Sequence, residues 1–265
     1  MPMHDDGTIR TAARLCQPPC RDDAATRVAV FDLDGTISRR DLFLVFLMEA
    51  ARRLGPARPM RTALLPLHTL NYSLRRISNT TLKIAYLDAV LGNREQKMLQ
   101  RVAREFAARC LFREIKPDAL RVMELHRQAG DALVLASASL DLYVEPIGRL
   151  LGFDATVSTR VAWTPDGRIA GALDGGNLRG PAKLVAVREL LSRKFPNAED
   201  LVAYSDHESD VSLLAAAGTA VVVDPTRKMR EEARRRGWPV VDWSGTGWPD
   251  GGRWIMPPGP VGRQA

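Results

Sequence analysis

The residues best equipped for chemistry lie in one stretch, Val28-Ala-Val-Phe-Asp-Leu-Asp-Gly-Thr-Ile37. An apolar, β-branched run feeds two carboxylates, Asp32 and Asp34. In a strand, residues i and i+2 point to the same side, so both carboxylates could face one pocket where the strand ends. Gly35 then lets the backbone turn sharply. Two like charges this close repel unless a cation or a proton lies between them. Two chemistries meet that condition. One is a Mg²⁺ site, because Mg²⁺ binds through one or two carboxylates together with phosphate oxygens and water. The other divides the labour, with one carboxylate as nucleophile and the other as acid/base. The competing reading is a solvated Asp-Gly turn, and the rest of the chain must decide.

Further strand ends carry matching groups. Ser137 follows the apolar run 132–136 and offers a hydroxyl at a strand-to-helix turn, where backbone N–H groups are free to bind an anion. Tyr204-Ser-Asp206-His-Glu-Ser-Asp210 runs an apolar strand into an acidic cluster. Lys183 stands near the start of a helix, after Gly180-Pro181-Ala182, and its ammonium could reach the same crevice. Alone, Lys183 reads as an exposed helix lysine and Ser137 as a helix cap. Together, in this order, the carboxylates, lysine and serine make a Mg²⁺-dependent phosphate site. The metal bridges carboxylates and phosphate, and Lys183 and Ser137 neutralise the remaining phosphate oxygens.

The elements that must position these groups follow from patterning. After the first strand (27–31), residues 42–51 form a helix that is apolar nearly all round and expected to be well buried. Residues 61–76 read as an amphipathic helix kinked at Pro66, residues 79–91 as a capped helix, and 94–113 as a charged one. No strand pattern appears between 40 and 130. Alternation of strand and helix then begins: helix 117–128, strand 132–136, helix 140–151, strand 156–159, a hairpin of 161–163 with 168–171, helix 181–194, strand 201–205, helix 209–217, strand 219–223, helix 226–236 and an edge strand at 239–242. The expected fold is α/β, a Rossmann-like three-layer parallel sheet with an all-helical cap inserted after the first strand. The expected divisions are a disordered arm (1–26), a core (27–38 and 114–243), a helical cap (39–113) and an irregular tail (244–265). In such sheets ligands bind beyond the carboxyl ends of the strands.

Composition narrows the partners. The chain has 265 residues and a formal charge of +7, which favours anionic ones. There is no aromatic-interleaved basic strand, zinc-finger spacing or RNA-binding signature, so no nucleic acid is expected, and a small phosphorylated substrate accounts for the sign equally well. Three cysteines, Cys16, Cys20 and Cys110, argue against a disulfide framework and suit a reducing compartment. A metal clip at Cys16 and Cys20 lacks ligands beyond His4. With no signal-peptide pattern at the start, and with apolar stretches (42–51, 63–70) too short to span a bilayer, the expectation is a cytoplasmic protein. Oligomeric state is left open.

The full set resembles the haloacid dehalogenase-like hydrolase superfamily over roughly residues 27–242. Asp32-Leu-Asp34-Gly-Thr36 matches its first motif, Ser137 its second, Lys183 its third, and Asp206 with Asp210 its fourth, in which Ser205 stands where the family usually carries Gly. The helical block, the stretch Leu135-Ala-Ser-Ala-Ser139 and the late segment Val223-Asp-Pro225…Arg236-Gly-Trp-Pro239 are similar to the phosphoserine-phosphatase-like branch, subfamily IB. The resemblance implies a mechanism. Asp32 attacks phosphorus and forms an aspartyl-phosphate, and Asp34 protonates the leaving alkoxide and then activates water. Mg²⁺ is held by the Asp32 side chain, the Asp34 carbonyl oxygen and Asp206, with Asp210 acting directly or through water. Ser137, the N–H of Ala138 and Lys183 hold phosphoryl oxygens.

The leaving alcohol is the least legible part. In phosphoserine phosphatases an acidic residue shortly after the first motif meets the substrate ammonium. Asp41 occupies that offset, and it also reads as the cap of the helix that follows. Lys83, Arg75 and Arg76 are candidates for a substrate carboxylate, each expected to be solvated. A phosphatase for a small metabolite such as phosphoserine is the leading expectation. A lipid- or glycerol-phosphate phosphatase touching a membrane through 63–70 is the alternative, set below a reading in which that segment packs on its neighbours. A non-catalytic phospho-ligand sensor is the alternative of another class, disfavoured because Asp32, Asp34 and Lys183 are all present.

Overall fold

The computed structural model describes residues 27–244. The expected arm, nearly all of the expected tail, and Cys16 and Cys20 lie outside the described residues. Seven strands form one sheet: β1 (Arg27–Phe31), β2 (Ala132–Leu140), β3 (Ala155–Trp163), β4 (Ile169–Asp174), β5 (Asp200–Ser205), β6 (Thr219–Val223) and β7 (Val240–Val241). Their order is β4-β3-β2-β1-β5-β6-β7. All pairs are parallel except β3–β4. This is the expected α/β, Rossmann-like core.

β1 sits at the centre because it is apolar on both faces. Ala29 and Phe31 join one core cluster, and Val28 and Val30 the other. Such a strand is stable only with helices covering both sides. From β1 the sheet grows one way to β2 and the other way to β5, so the carboxyl end of β1 is a topological switch point where a crevice opens.

Six helices lie between β1 and β2: α1 (Leu42–Leu54), α2 (Pro59–Thr62), α3 (Leu65–Ser73), α4 (Asn79–Leu91), α5 (Gln96–Arg113) and α6 (Pro117–Gln128). After β2 come α7 (Asp141–Leu150), α8 (Pro181–Lys194), α9 (Val211–Ala216) and α10 (Arg227–Arg236).

Several expectations need correction. The kinked helix expected over 61–76 is two helices, α2 and α3. Pro66 lies in the first turn of α3 rather than at a kink, where its missing N–H costs no hydrogen bond. β2 does not stop at 136 but runs on to Leu140, with a register shift between Ser137 and Leu140. The expected segments 156–159 and 161–163 are one strand, β3, which pairs parallel to β2 first and antiparallel to β4 afterwards. α1 is buried on one side only, with Leu44 and Met48 exposed. The packing expected of 63–70 is limited to one side. Only Leu65 of α3 is buried, because α3 rests on α4 along a single side.

Phe31 ties the centre of the sheet together. Its ring stacks on Tyr204 at 4.4 Å between centroids and meets Phe153 and His126 edge-on. Phe31→Ala should therefore destabilise the fold by roughly 3–5 kcal/mol, from lost burial and the cavity left behind. Urea unfolding checks this, and a loss below about 1 kcal/mol contradicts it.

Candidate active site

Asp32 is the first residue past β1, and its N–H donates to the carbonyl of Tyr204 at 3.0 Å. Its Oδ1 accepts from the Lys183 ammonium at 2.7 Å. The same ammonium donates to Asp210 Oδ2, also at 2.7 Å. Lys183 is buried in the first turn of α8, so the helix start aims its side chain back across the strand ends. Burial works against its charge, but Asp210 and Asp32 outweigh burial and raise its pKa. It stays an ammonium.

The acids outnumber it. Burial pushes Asp206 up to about 7, and repulsion from Asp210 adds to the push. Burial also raises Asp32, with Lys183 opposing and Asp210, Asp206 and Asp34 reinforcing. The Thr36 hydroxyl lies 3.1 Å from Asp206 Oδ1 and 3.4 Å from Asp32 Oδ2, and its one proton serves either. Gly35 makes this crowding possible. Its φ is +82°, and a Cβ there would lie 2.3 Å from Asp206 Oδ2. Lys116 holds the turn in place: its ammonium donates to the Gly35 carbonyl and pairs with Asp224 at 2.7 Å.

Asp34 has different surroundings. Its Oδ1 accepts the Leu42 N–H at 2.8 Å, at the start of α1, and its Oδ2 accepts the Ser139 hydroxyl at 2.5 Å. Ser137 Oγ is more distant from the same oxygen, at 3.4 Å, and accepts the Ser139 N–H at 3.0 Å. Burial, then the neighbouring charge of Asp41, raises Asp34 to about 6. One carboxylate therefore faces an ammonium, and the other is held by a hydroxyl and a backbone N–H.

These groups open on a cavity of about 580 Å³. Asp32, Asp34, Asp41, Ala138, Lys183, Asp206 and Asp210 all line it, while Ser137 lies buried behind Ser139. Asp41 is exposed: it caps α1 by accepting the Phe43 N–H at 2.7 Å, and it also lines the cavity. Arg75 and Arg76 are exposed, as expected. Lys83 is a correction. Instead of being solvated it is buried, donating to the Ala138 carbonyl at 2.5 Å and to Asn177 Oδ1 at 2.7 Å. Burial lowers its pKa to about 8, against the pull of Asp34 and Asp41.

Sequence reasoning also passed over Ser139, Arg179 and Asn177. Ser139 had a signal, being two residues after Ser137 on a strand that continues, so both hydroxyls point the same way. Arg179 lines the cavity and Asn177 anchors Lys83, but both come from an irregular stretch after β4 with no local pattern. The substitution of Ser205 for the usual Gly removes nothing. Ser205 does not have positive φ, and its hydroxyl donates to Asp210 Oδ2 at 2.8 Å.

A model matched to residues 29–215 describes the haloacid dehalogenase-like hydrolase family. The chain belongs to that family. Relatives include the "Inhibition of morphological differentiation protein" of Streptomyces azureus, 35% identical over 60% of this chain and 57% of that one. Protein CicA of Caulobacter vibrioides is 33% identical over 72% of this chain and 82% of its own length. The chain thus spans little more than half of the Streptomyces relative. Among solved structures, a Bordetella pertussis protein of unknown function has a TM-score of 0.70 at 25% identity, covering 83% of this chain and 100% of that one. A probable phosphoserine phosphatase from Vibrio cholerae shares the fold, with a TM-score of 0.60 at 18% identity over 84% of this chain and 64% of that one.

A divalent cation fits the haloacid dehalogenase-like site. Among the described residues no three acidic, His or Cys side chains surround one point. Mg²⁺ does not require that, since it takes one or two carboxylates and completes its shell with carbonyl oxygen and water. The observation in its favour is Asp210 Oδ1, a buried carboxylate oxygen with no hydrogen-bond partner. One ammonium also balances only part of the charge of Asp32, Asp206 and Asp210. Adding Mg²⁺ a hundredfold above its Kd should raise Tm by roughly 5–10 °C at pH 7.5. Asp206→Asn should abolish most of that rise in differential scanning fluorimetry.

Proposed function

We propose that this chain is a Mg²⁺-dependent phosphomonoester hydrolase acting through an aspartyl-phosphate on Asp32. The observation that carries the reading is the contrast between the two carboxylates of Asp-x-Asp: Asp32 lies against the Lys183 ammonium, whereas Asp34, raised to about 6, is held by Ser139 and the Leu42 N–H. The core is residues 27–38 and 114–243, and 39–113 is a helical cap over the strand ends.

In the proposed reaction an Asp32 carboxylate oxygen attacks phosphorus as the bond to the leaving alcohol breaks. The protonated Asp34 carboxyl gives its proton to the departing alkoxide. Water then loses a proton to the Asp34 carboxylate and attacks the same phosphorus. The Asp32–phosphorus bond breaks, phosphate leaves, and both aspartates return to their starting states. A group with a pKa near 6 suits both halves of this cycle. Lys183 and the Ala138 N–H line the cavity and hold the phosphoryl oxygens, with the Ser137 hydroxyl proposed to join them from the buried strand behind, and the buried surroundings strengthen those interactions. Asp32, the carbonyl of Asp34, Asp206 and Asp210 would hold Mg²⁺, which supplies charge neutralisation on the phosphoryl group.

The substrate proposed is a small phosphorylated metabolite, with phosphoserine the first candidate. Asp41 and the pair Lys83 and Arg179 line the same cavity with opposite charge, an arrangement suited to a zwitterionic alcohol. The cationic pair would take its carboxylate and Asp41 its ammonium.

Asp32→Asn should lower Mg²⁺-dependent turnover of phosphate esters by on the order of 10⁴-fold while circular dichroism stays unchanged. Retention of most activity would sink the nucleophile assignment. A second test uses pH. Lys83 loses its proton as pH rises through about 8, so KM for an anionic substrate should climb above pH 8. Lys83→Met should raise KM throughout and flatten that climb. The sign for stability is opposite: with a depressed pKa, the charged lysine costs the fold stability below about 8, and the cost disappears between about 8 and 10.5.

A further inference from the structure

α3 is amphipathic the wrong way round for a helix that serves only as a wall. Its inner side carries the buried Leu65 together with Thr69, Tyr72 and Ser73, which line the cavity. Its outer side shows Leu67 and Leu70, and the residues that cap its two ends, Leu64 and Leu74, continue the row; in chain order the four are exposed by 52, 56, 54 and 52%. At helical spacing these four fall on one stripe. Met60, on the preceding α2, is 84% exposed. Single exposed leucines are ordinary, but a continuous stripe of them marks an interaction surface.

Charge flanks the stripe. Arg61 stands at one end, paired with Asp88. Arg75 and Arg76 follow directly at the other end, both exposed and neither in an ion pair among the described residues. Neither lines the cavity.

We propose that the outer stripe of α3 docks this protein onto an anionic lipid surface. Leucines enter the boundary between headgroups and acyl chains, and Arg75 and Arg76 meet lipid phosphates. A second copy of the chain would bring the same arginines with it, whereas anionic headgroups neutralise them. The +7 charge of the whole chain pulls in the same direction. No helix among the described residues is long and apolar enough to cross a membrane, so the contact is peripheral. The docking rests on this surface and stands apart from the chemistry proposed for the cavity.

The test is flotation of the full chain at low salt with vesicles of equal phosphatidylglycerol and phosphatidylcholine, or of phosphatidylcholine alone. The wild type should float with the anionic vesicles and less with the neutral ones. Leu67→Asp/Leu70→Asp should lower the bound fraction about tenfold or more, and Arg75→Glu/Arg76→Glu should remove about tenfold of the anionic preference. Both variants should keep wild-type circular dichroism and turnover of a soluble phosphate ester. The proposal is overturned if the wild type stays unbound at low salt, or if the double-aspartate variant floats as well as the wild type. It is also overturned if gel filtration shows a dimer that this variant splits while neither form floats, which assigns the stripe to self-association. If flotation follows the expected pattern but no soluble ester is turned over, the docking holds and the phosphatase reading fails.

Discussion

One lysine held between two buried carboxylates governs the architecture at the carboxyl end of the sheet. Lys183 comes from α8, Asp32 from the end of β1 and Asp210 from the turn after β5, and the ammonium reaches both acids at 2.7 Å. Buried charges cost several kcal/mol each unless paired and hydrogen-bonded. Three segments distant in the chain are thereby held in fixed register. Asp206 adds a third acid that the lysine does not touch, and burial, with repulsion from Asp210 adding to it, raises it to about 7. The surplus of carboxylates over the single ammonium favours a cation at this end of the sheet.

The rest of the core serves that arrangement. Gly35 lets the turn after β1 approach Asp206 more closely than any side chain permits. Ser205 donates to the same Asp210 oxygen as Lys183, giving that carboxylate a second donor where a glycine would give none. Ser139 and Leu42 turn Asp34 away from the lysine and into its own hydrogen bonds. Two acids two residues apart thus acquire separate surroundings through their partners rather than through their spacing.

The helices between β1 and β2 add further residues to the cavity. Lys83 leaves α4 and enters the core, where Asn177 and the Ala138 carbonyl receive it. Asn177 also donates to Asn79 on α4 at 3.0 Å, so helix and core are tied from both sides. Meanwhile α3 turns its polar residues inward to the cavity and its leucines outward. A stripe of leucines facing water is costly.

The sequence alone determined which strands carry the polar groups of the site, although β2 runs past Ser137 to Leu140. A buried strand running into Asp-x-Asp-Gly-Thr, a second into Ser137 and a third into Asp206 are local patterns, set by side-chain alternation and turn residues, and the sheet places them together by its topology. Lys183 was legible for the same reason, as a lysine in the first turn of a helix opened by Gly180 and Pro181. Ser139 was within reach of the same alternation once β2 continued past 136. Tertiary structure decided the rest. The burial of Lys83 depends on Asn177, 94 residues away, and on Ala138, 55 residues away. A helical pattern says which residues share a face but not which face finds a neighbour, so the outward leucines of α3 and the half-exposed α1 could only be seen once the helices were packed.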